Sequence, residues 1–344
     1  KSEGFTPTPG VKFDMDKHST DGPLKVTNRQ TPLPSSEAFV KAAERMGFTV
    51  GDYNGADRAT APRGVTSHHQ FTINTNGRRC DTYSAFLEPV MGSRENLTVV
   101  TGAQASRVVV DKGAAVGVEY TTASGAEYAA AAKEVVLSCG AYMTPHLLLR
   151  SGIGPAAELA AAGVDCLVDA PHVGKHLKDH LMIVIPFAME SAIPLGTLAA
   201  ALGLLPDKTL FEQYLATGDG LAATALYDAS VFWNTGASAR TAHTHDAQLS
   251  FVNSAYNDGF WEGCLGVEDL QGSMHTDVMF DLEKGSALLV PQLVQPQSEG
   301  EVTLGGLGLS DLPVINNNYL ASDADMKSFI ANCKLAVDVH RELG

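Results

Sequence analysis

The amino-acid sequence predicts a mixed α/β protein, with α+β character and more than one domain. Between residues 97 and 141, short apolar strands are separated by turns, and the last strand runs directly into a helix. Beyond residue 180 the pattern changes to strands interspersed with helices, which favours a second domain built on an antiparallel sheet. A length of 344 residues with 44% hydrophobic side chains is sufficient for two such cores.

The bulk composition excludes several function classes. A net charge of -15 argues against nucleic acid or an anionic membrane surface as a partner. No apolar run approaches the roughly 18 residues of a membrane span, and no leader-like pattern follows Lys1. The 5 cysteines form no CxxC pair, so a disulfide framework or a zinc site is not expected. A soluble protein in a reducing compartment is mildly favoured, and the compartment itself stays open.

The first part of the chain contains one well-marked helix. Residues 1–28 are rich in Gly, Pro, Thr and charge and are predicted to be an extended loop. The helix that follows has Ser35 or Ser36 as its N-cap and ends at Gly47. Residues 52–76 are predicted to be irregular surface chain. The apolar face of the helix consists of residues at helical spacing, which are Phe39, Val40, Ala43 and Met46.

A β-meander is predicted in the next segment. A short helix, Arg79–Leu87, stops before Pro89 and leads to a strand at Leu97–Thr101. Turns at Lys112–Gly113 and Ser124–Gly125 then separate further short strands. Those strands are Ser106–Asp111, Ala115–Thr121 and Glu127–Leu137.

The end of the meander is a strand-to-helix transition. Val135–Leu137 is apolar and is followed by the small residues Ser138–Ala141. Thr144 is the predicted helix cap, and Pro145 is placed in the first turn. Small side chains let a large group approach the backbone, and a helix N-terminus favours a pyrophosphate or a ribose. This transition is therefore a candidate ligand site.

The remainder of the chain alternates between strands and helices. The predicted strands are Leu181–Phe187, Ala247–Val252, Ala287–Leu293 and Gly300–Leu304. The predicted helices are Leu210–Ala216 and Ala324–Glu342. No internal repeat interrupts this pattern. It is typical of an antiparallel sheet with helices on it.

The segment from Gly140 to Gly154 resembles the signature of the GMC (glucose-methanol-choline) oxidoreductase family. That signature has a Gly or Ser, a small residue, Ser or Thr followed by Pro, two aliphatic residues and a final Ser-Gly-aliphatic-Gly. Every fixed position is filled, by Gly140, Ala141, Thr144, Pro145, Leu147, Leu148, Ser151, Gly152, Ile153 and Gly154. The flanks are also similar to family segments, especially in choline-dehydrogenase-like members: Gly77–Leu87, Asn96–Arg107, Val173–His180, Val290–Leu304 and Pro313–Asp325.

The resemblance implies a domain plan. Part of a three-layer ββα FAD-binding domain is expected beside a substrate domain with an antiparallel sheet and helices. Residues 1–75 would form a lid or substrate-domain segment. Residues 76–180 would belong to the FAD domain, and residues 181–344 to an incomplete substrate domain.

The resemblance also implies a cofactor and a chemistry. FAD would accept a hydride from the CH–OH group of a small alcohol, as family members do. The residues expected near the ADP half of FAD are Thr101, Gly102, Ala105, Ser138, Cys139, Gly140 and Ala141. The family's GxGxxG loop does not occur in these residues, and Gly344 comes before the family's catalytic His would be expected. No catalytic residue is therefore assigned, and the electron acceptor stays open.

Two other functions are weighed. A GMC-derived structural or binding subunit, held in an assembly with a protein partner, would explain the absence of both family segments. The algal fatty-acid photodecarboxylase, a relative with different chemistry, is disfavoured. Its functional Cys and Arg would align with about Leu226 and Ser250, and neither residue matches.

Several isolated motifs have both a functional and a structural interpretation. A metal site at His172, His176 and His180 is disfavoured against a loop, because Pro171 and Gly174 interrupt them. Cys139 is expected to be a small buried apolar residue rather than a reactive thiol. Arg78 and Arg79 could bind a phosphate or lie in a surface patch. The motif His243, His245 and Asp246 is expected to lie in a solvated loop, and the aromatic residues Tyr227, Phe232 and Trp233 are expected in the core rather than in a pocket.

Overall fold

The chain folds into two compact units. The computed structural model describes residues 3–7, 13–28, 33–189, 192–194, 197, 200–201, 203–223, 227–238, 244–253 and 285–343. Unit 1 comprises Lys1–Arg94, His180–Gln295 and Met326–Gly344, and unit 2 comprises Glu95–Asp179 and Pro296–Asp325. The division at residues 75 and 180 stays a prediction. None of the helices in the described part of the chain is long and apolar enough to span a membrane.

Unit 1 is built around a mixed six-stranded sheet. Its helices are α1 (Pro34–Arg45), α2 (Asp57–Thr60), α5 (Thr209–Thr217) and α6 (Asp323–Leu343), of which α6 begins in the residues of unit 2. Its strands are β1 (Glu3–Thr6), β2 (Leu24–Asn28), β3 (Thr49–Val50), β4 (Val65–His68), β5 (Gln70–Phe71), β12 (Ile185–Ala188), β13 (Tyr227–Trp233), β14 (Ala247–Val252) and β15 (Ser286–Leu293). The six-stranded sheet has the order β12-β15-β14-β13-β4-β3, and only β3 and β4 are parallel.

One face of this sheet forms the hydrophobic core with α1 and α6. Phe39 of α1 stacks on Phe251 of β14 with ring centroids 5.2 Å apart, and both rings are fully buried. Leu335 and Val339 of α6 belong to the same buried cluster. The period of α1 and the alternation of β14 therefore both point their apolar residues at this layer.

Unit 2 contains the predicted meander, two further small sheets and two helices. Its helices are α3 (Gly140–Arg150) and α4 (Ala156–Ala161). Its strands are β6 (Gln104–Asp111), β7 (Ala114–Thr122), β8 (Gly125–Ala130), β9 (Ile153–Gly154), β10 (Val168–Asp169), β11 (Lys175–Leu177), β16 (Gly300–Thr303) and β17 (Val314–Asn316). The sheets are β6-β7-β8, β11-β16-β17 and the pair β9-β10.

Two predictions for the N-terminal part are wrong. Residues 1–28 are not only loop, because β1, β2 and β5 form a three-stranded sheet. Residues 52–76 are not only irregular surface chain, because they contain β4 at the centre of the large sheet. Val65 and Thr66 are fully buried there by pairing with β13, which is distant in sequence.

The predicted helix starts of unit 1 are also corrected. Leu33 is the N-cap residue of α1, and Ser35 and Ser36 lie inside its first turn. Their hydroxyls are used for tertiary bonds, since Ser36 Oγ donates to Asp228 Oδ2 at 3.1 Å. The predicted helix Arg79–Leu87 reduces to one turn at Tyr83–Leu87, because Cys80 N–H bonds to the Thr72 carbonyl at 2.7 Å and extends a hairpin.

Two apolar segments of unit 2 differ from prediction in the same way. Leu97–Thr101 forms no strand, and β8 ends at Ala130, so Val135–Leu137 also lies outside any strand. Val100 is 53% exposed and Val136 is 76% exposed. Both segments contain the apolar, β-branched residues typical of strands. Among the described residues no strand pairs with either of them, so neither forms a strand.

Other predictions are confirmed within a residue or two. Strand β14 has the predicted bounds, and β15, β16, α5 and α6 differ by single residues at their ends. The turn at Lys112–Gly113 has both residues at positive φ, 50° and 79°. The predicted strand Leu181–Phe187 is displaced, because regular pairing begins only at Ile185.

Candidate functional site

Helix α3 begins earlier than its sequence predicts. It starts at Gly140 with Cys139 as N-cap, so Thr144 and Pro145 are not at its start. The Thr144 side chain still stabilises the N-terminus of the helix, because its Oγ1 accepts a hydrogen bond from the N–H of Cys139 at 3.0 Å. Pro145 lies inside the helix and has no N–H, which leaves the Ala141 carbonyl without its usual intrahelical donor.

The N-terminus of α3 faces open space. The first four N–H groups of a helix have no intrahelical acceptor, and together with the helix dipole they favour an anion. Gly140 has φ +87°, and a Cβ placed there would meet no atom within 4 Å. Cys139 is exposed, so the prediction that it is buried is wrong. Its position at the open helix end accounts for the difference.

The residues predicted near the adenine lie at the start of β6. Thr101 and Gly102 precede the strand and are exposed, and Ala105 lies on it opposite Tyr120. Gly102 has φ +64°, and a Cβ there would also meet nothing within 4 Å. Both predicted backbone segments are therefore accessible. Their roles in cofactor binding stay predictions.

A buried hydroxyl joins β6 to α3. Ser151, directly after α3, accepts a hydrogen bond on Oγ from Val108 N–H of β6 at 2.9 Å. The same oxygen donates to the Leu147 carbonyl at 2.6 Å. Ser151 is 2% exposed, so water does not replace these bonds. The signature serine thus fixes the two elements that carry the predicted cofactor residues.

Replacing Ser151 by alanine is expected to destabilise unit 2 by about 1–3 kcal/mol. The change leaves the buried Val108 N–H without an acceptor, and a buried unsatisfied donor costs about this much. Hydrogen exchange of the β6 amides measures the effect. Ser124→Ala, in an exposed turn of the same unit, is the matched control. Equal exchange in the two variants would contradict the joining role of Ser151.

The second face of the unit 1 sheet carries a polar cluster that the sequence analysis missed. His69 Nε2 lies 2.6 Å from Ser230 Oγ, and Ser230 Oγ donates to Ser250 Oγ at 2.9 Å. Gln248 and Gln292 each donate an amide hydrogen to Ser250 Oγ at 2.9 Å. Ser230 and Ser250 are fully buried, whereas both glutamines are half-buried. We call these five residues the polar cluster.

His69 is neutral in this environment. Burial lowers its pKa to about 4; the backbone of Tyr227 raises it and the neighbouring His68 lowers it further. The polar cluster therefore offers hydrogen-bonding groups without a charge near pH 7. The alternation of polar and apolar residues along β13 and β14 was its only signal in the sequence.

The aromatic residues of β13 contribute to packing, as expected. Trp233 packs against the core cluster, and its Nε1 donates to Asn332 Oδ1 at 3.0 Å. Tyr227 packs against a smaller buried cluster, and Phe232 stacks on Tyr53 with centroids 4.8 Å apart.

The histidine motifs are placed only in part. His172 Nδ1 lies 3.2 Å from His176 Nε2, and no group of three potential metal ligands occurs among the described residues. His176 pairs with Glu299 at 2.5 Å. His243 and Leu226 lie outside the described residues. His245 and Asp246 are buried, contrary to the expected solvated loop, because Asp246 accepts bonds from the Thr235 N–H and hydroxyl at 2.8 and 2.7 Å.

Arg78 and Arg79 are both exposed. Their two interpretations, a phosphate contact and a surface patch, both stay open.

Comparison with known proteins gives consistent results. The profile of the GMC oxidoreductase family matches residues 7–182. An alcohol dehydrogenase [acceptor] of Pseudomonas putida is 31% identical over 337 residues, which cover 94% of this chain and 54% of the relative. An oxygen-dependent choline dehydrogenase of Brucella canis is 31% identical over 90% of this chain and 51% of its own length. The chain thus spans about half the length of the curated relatives it matches.

Solved structures show the same fold. A formate oxidase of Aspergillus oryzae RIB40 superposes with a TM-score of 0.77 at 22% identity, over 98% of this chain and 59% of the other. A fungal aryl-alcohol oxidase superposes with a TM-score of 0.73 at 17% identity, over 99% of this chain and 61% of the other.

Proposed function

The chain belongs to the GMC oxidoreductase family, and from this premise we propose that it forms part of an FAD-dependent enzyme that oxidises the CH–OH group of a small alcohol. The observation that carries the proposal is the complete signature on an open helix N-terminus, at Gly140. The names of the two curated relatives, an alcohol dehydrogenase and a choline dehydrogenase, support an alcohol as substrate.

The residues present fit the ADP half of FAD. Gly102 and Gly140 both leave free the volume that a Cβ would occupy, so a flat or bulky group has access to the backbone. The N–H groups at the start of α3 would hold a phosphate oxygen. Contacts are further proposed for Thr101, Ala105, Ser138, Cys139 and Ala141. When bound, FAD supplies a hydride acceptor for the carbon that carries the hydroxyl.

On the substrate side we propose that the polar cluster receives an uncharged polar group. Gln248 and Gln292 are the accessible members, and the buried serines hold their amides in place. Because burial keeps His69 neutral, the cluster brings no carboxylate or cation of its own. A neutral alcohol therefore suits it better than a quaternary ammonium ligand, which prefers aromatic faces. No residue of this chain is assigned as the catalytic base.

The test is made on the protein encoded by the complete reading frame. We expect the purified protein to show a flavin absorbance band that is bleached anaerobically by a neutral primary alcohol. Gln248→Leu and Gln292→Leu are expected to raise KM with little loss of bound flavin. A complete protein without flavin, or one whose flavin no alcohol reduces, would rule out the proposed activity.

An inert structural or binding subunit is the second candidate function. The exposed apolar side chains of Val100 and Val136 favour it, because such surface is usually covered in a stable protein. Flavin-free complete protein that co-purifies in a defined assembly would support this alternative. A flavin band in the protein purified alone would remove its main support.

A further inference from the structure

The segment Gly305–Asp311 of unit 2 is a tightly folded loop. Asp311 closes it, because its Oδ2 accepts a hydrogen bond from Gly308 N–H at 2.7 Å and its own N–H bonds to the Gly308 carbonyl at 3.1 Å. A Cβ on Gly306 would lie 2.2 Å from Asp311 Oδ2, and a Cβ on Gly305 would lie 2.1 Å from the Leu312 carbonyl oxygen. The glycines thus permit a compact loop whose carbonyls have fixed directions.

Two side chains from different elements bind carbonyls of this loop. Gln104, the first residue of β6, donates from Nε2 to the Leu309 carbonyl at 3.0 Å. Arg150, the last residue of α3, donates from Nη2 to the Leu307 carbonyl at 3.2 Å. The two acceptors are two residues apart, so one closed loop holds the start of a strand and the end of a helix.

Gln104 has no role in the core that would account for this contact. Its side chain is exposed, and it lies between Gly102 and Ala105, the residues proposed near the adenine. The segment before it, residues 97–103, forms no strand and so has no regular backbone pairing of its own. Its position therefore depends on the residues that follow it.

We propose that the loop Gly305–Asp311 is a strap that fixes the start of β6 to α3 and presets residues 101–105 for the adenine part of FAD. Gln104 is the positioning residue, acting through the Leu309 carbonyl. The cofactor part of this inference rests on the proposed function. The strap itself does not, since its hydrogen bonds join residues of this chain to one another.

The test compares Gln104→Glu with Gln104→Lys in the protein encoded by the complete reading frame. Glutamate has the same length and cannot donate, and lysine keeps a donor. Without FAD, Gln104→Glu is expected to raise hydrogen exchange of the amides at the start of β6, residues 104–108, about three- to tenfold, as for the loss of one hydrogen bond, and Gln104→Lys much less. Asp311→Ala, which opens the loop, is expected to have the same effect. Arg107→Gln, which breaks an exposed ion pair on the same strand, is the control.

FAD titration of the same proteins, read by flavin fluorescence, completes the test. A dissociation constant raised about three- to tenfold by Gln104→Glu, and restored by Gln104→Lys, would support the positioning role. Unchanged exchange in Gln104→Glu and Asp311→Ala overturns the strap. Raised exchange with unchanged FAD affinity overturns the positioning role. If the unsubstituted protein does not bind FAD, the proposed function and the positioning role fail, and exchange alone decides the strap.

Discussion

Acidification from pH 7 to pH 4 is expected to lower the free energy of unfolding of unit 1 by about 3 kcal/mol through His69 alone. Burial lowers the pKa of this histidine to about 4 in the folded chain, against an ordinary value of 6.5. Between these two values the unfolded chain takes up a proton and the folded chain does not. The free energy of unfolding is therefore unaffected by His69 well above pH 6.5, and it falls as the pH is lowered from 6.5 towards 4.

The experiment is a denaturant titration at several pH values, followed by tryptophan fluorescence. Trp233 lies on β13 of unit 1, so its fluorescence reports on that unit. Since carboxylates also titrate in this range, the informative quantity is the difference between the unsubstituted chain and His69→Gln. The variant is expected to lose about 3 kcal/mol less on acidification. His180→Gln, at an exposed position of unit 1, is the matched control. Parallel pH profiles for the unsubstituted chain and His69→Gln would contradict a half-buried His69 that is neutral above pH 4.

The spacing of apolar residues along a segment predicted those elements whose buried face is encoded by their own residues. Strand β14 alternates over six residues, and α6 keeps an apolar period over 21, so both were found with nearly correct bounds. Strand β4 has only four residues, and its burial comes from pairing with β13 more than 150 residues later. Leu97–Thr101 shows the opposite case, in which strand composition finds no partner strand among the described residues. Pairing between distant segments decided both outcomes.

The same distinction applies to the site. The signature lies on one continuous segment, so its residues could be named before the fold was known. The polar cluster depends on strand register, which sets Ser230 opposite Ser250 and Gln248 opposite Gln292. No spacing along the chain encodes that register. Ser250 is an example. In the sequence it is noted only as a position where the arginine of the photodecarboxylase is missing, whereas in the sheet its Oγ lies within hydrogen-bond distance of three side chains.

Replacing Gly140 by alanine is expected to weaken FAD binding by tenfold or more. Gly140 has φ +87°, and a side chain at such a positive φ costs about 1–2 kcal/mol in backbone strain at any position in a protein. Yet that Cβ would meet no atom of the chain within 4 Å, so packing does not oppose it. A loss of affinity beyond the strain must then come from the group that occupies the space in front of α3.

Gly113→Ala separates these two contributions. Gly113 has φ +79° in the turn between β6 and β7 of the same unit, and a Cβ there also meets nothing within 4 Å. Both variants are expected to lose similar stability, read by hydrogen exchange across unit 2, and only Gly140→Ala is expected to release FAD in a fluorescence titration. If both variants bind FAD as tightly as the unsubstituted protein, the cofactor does not approach the start of α3. If both lose it equally, strain in unit 2 rather than contact at Gly140 governs the affinity.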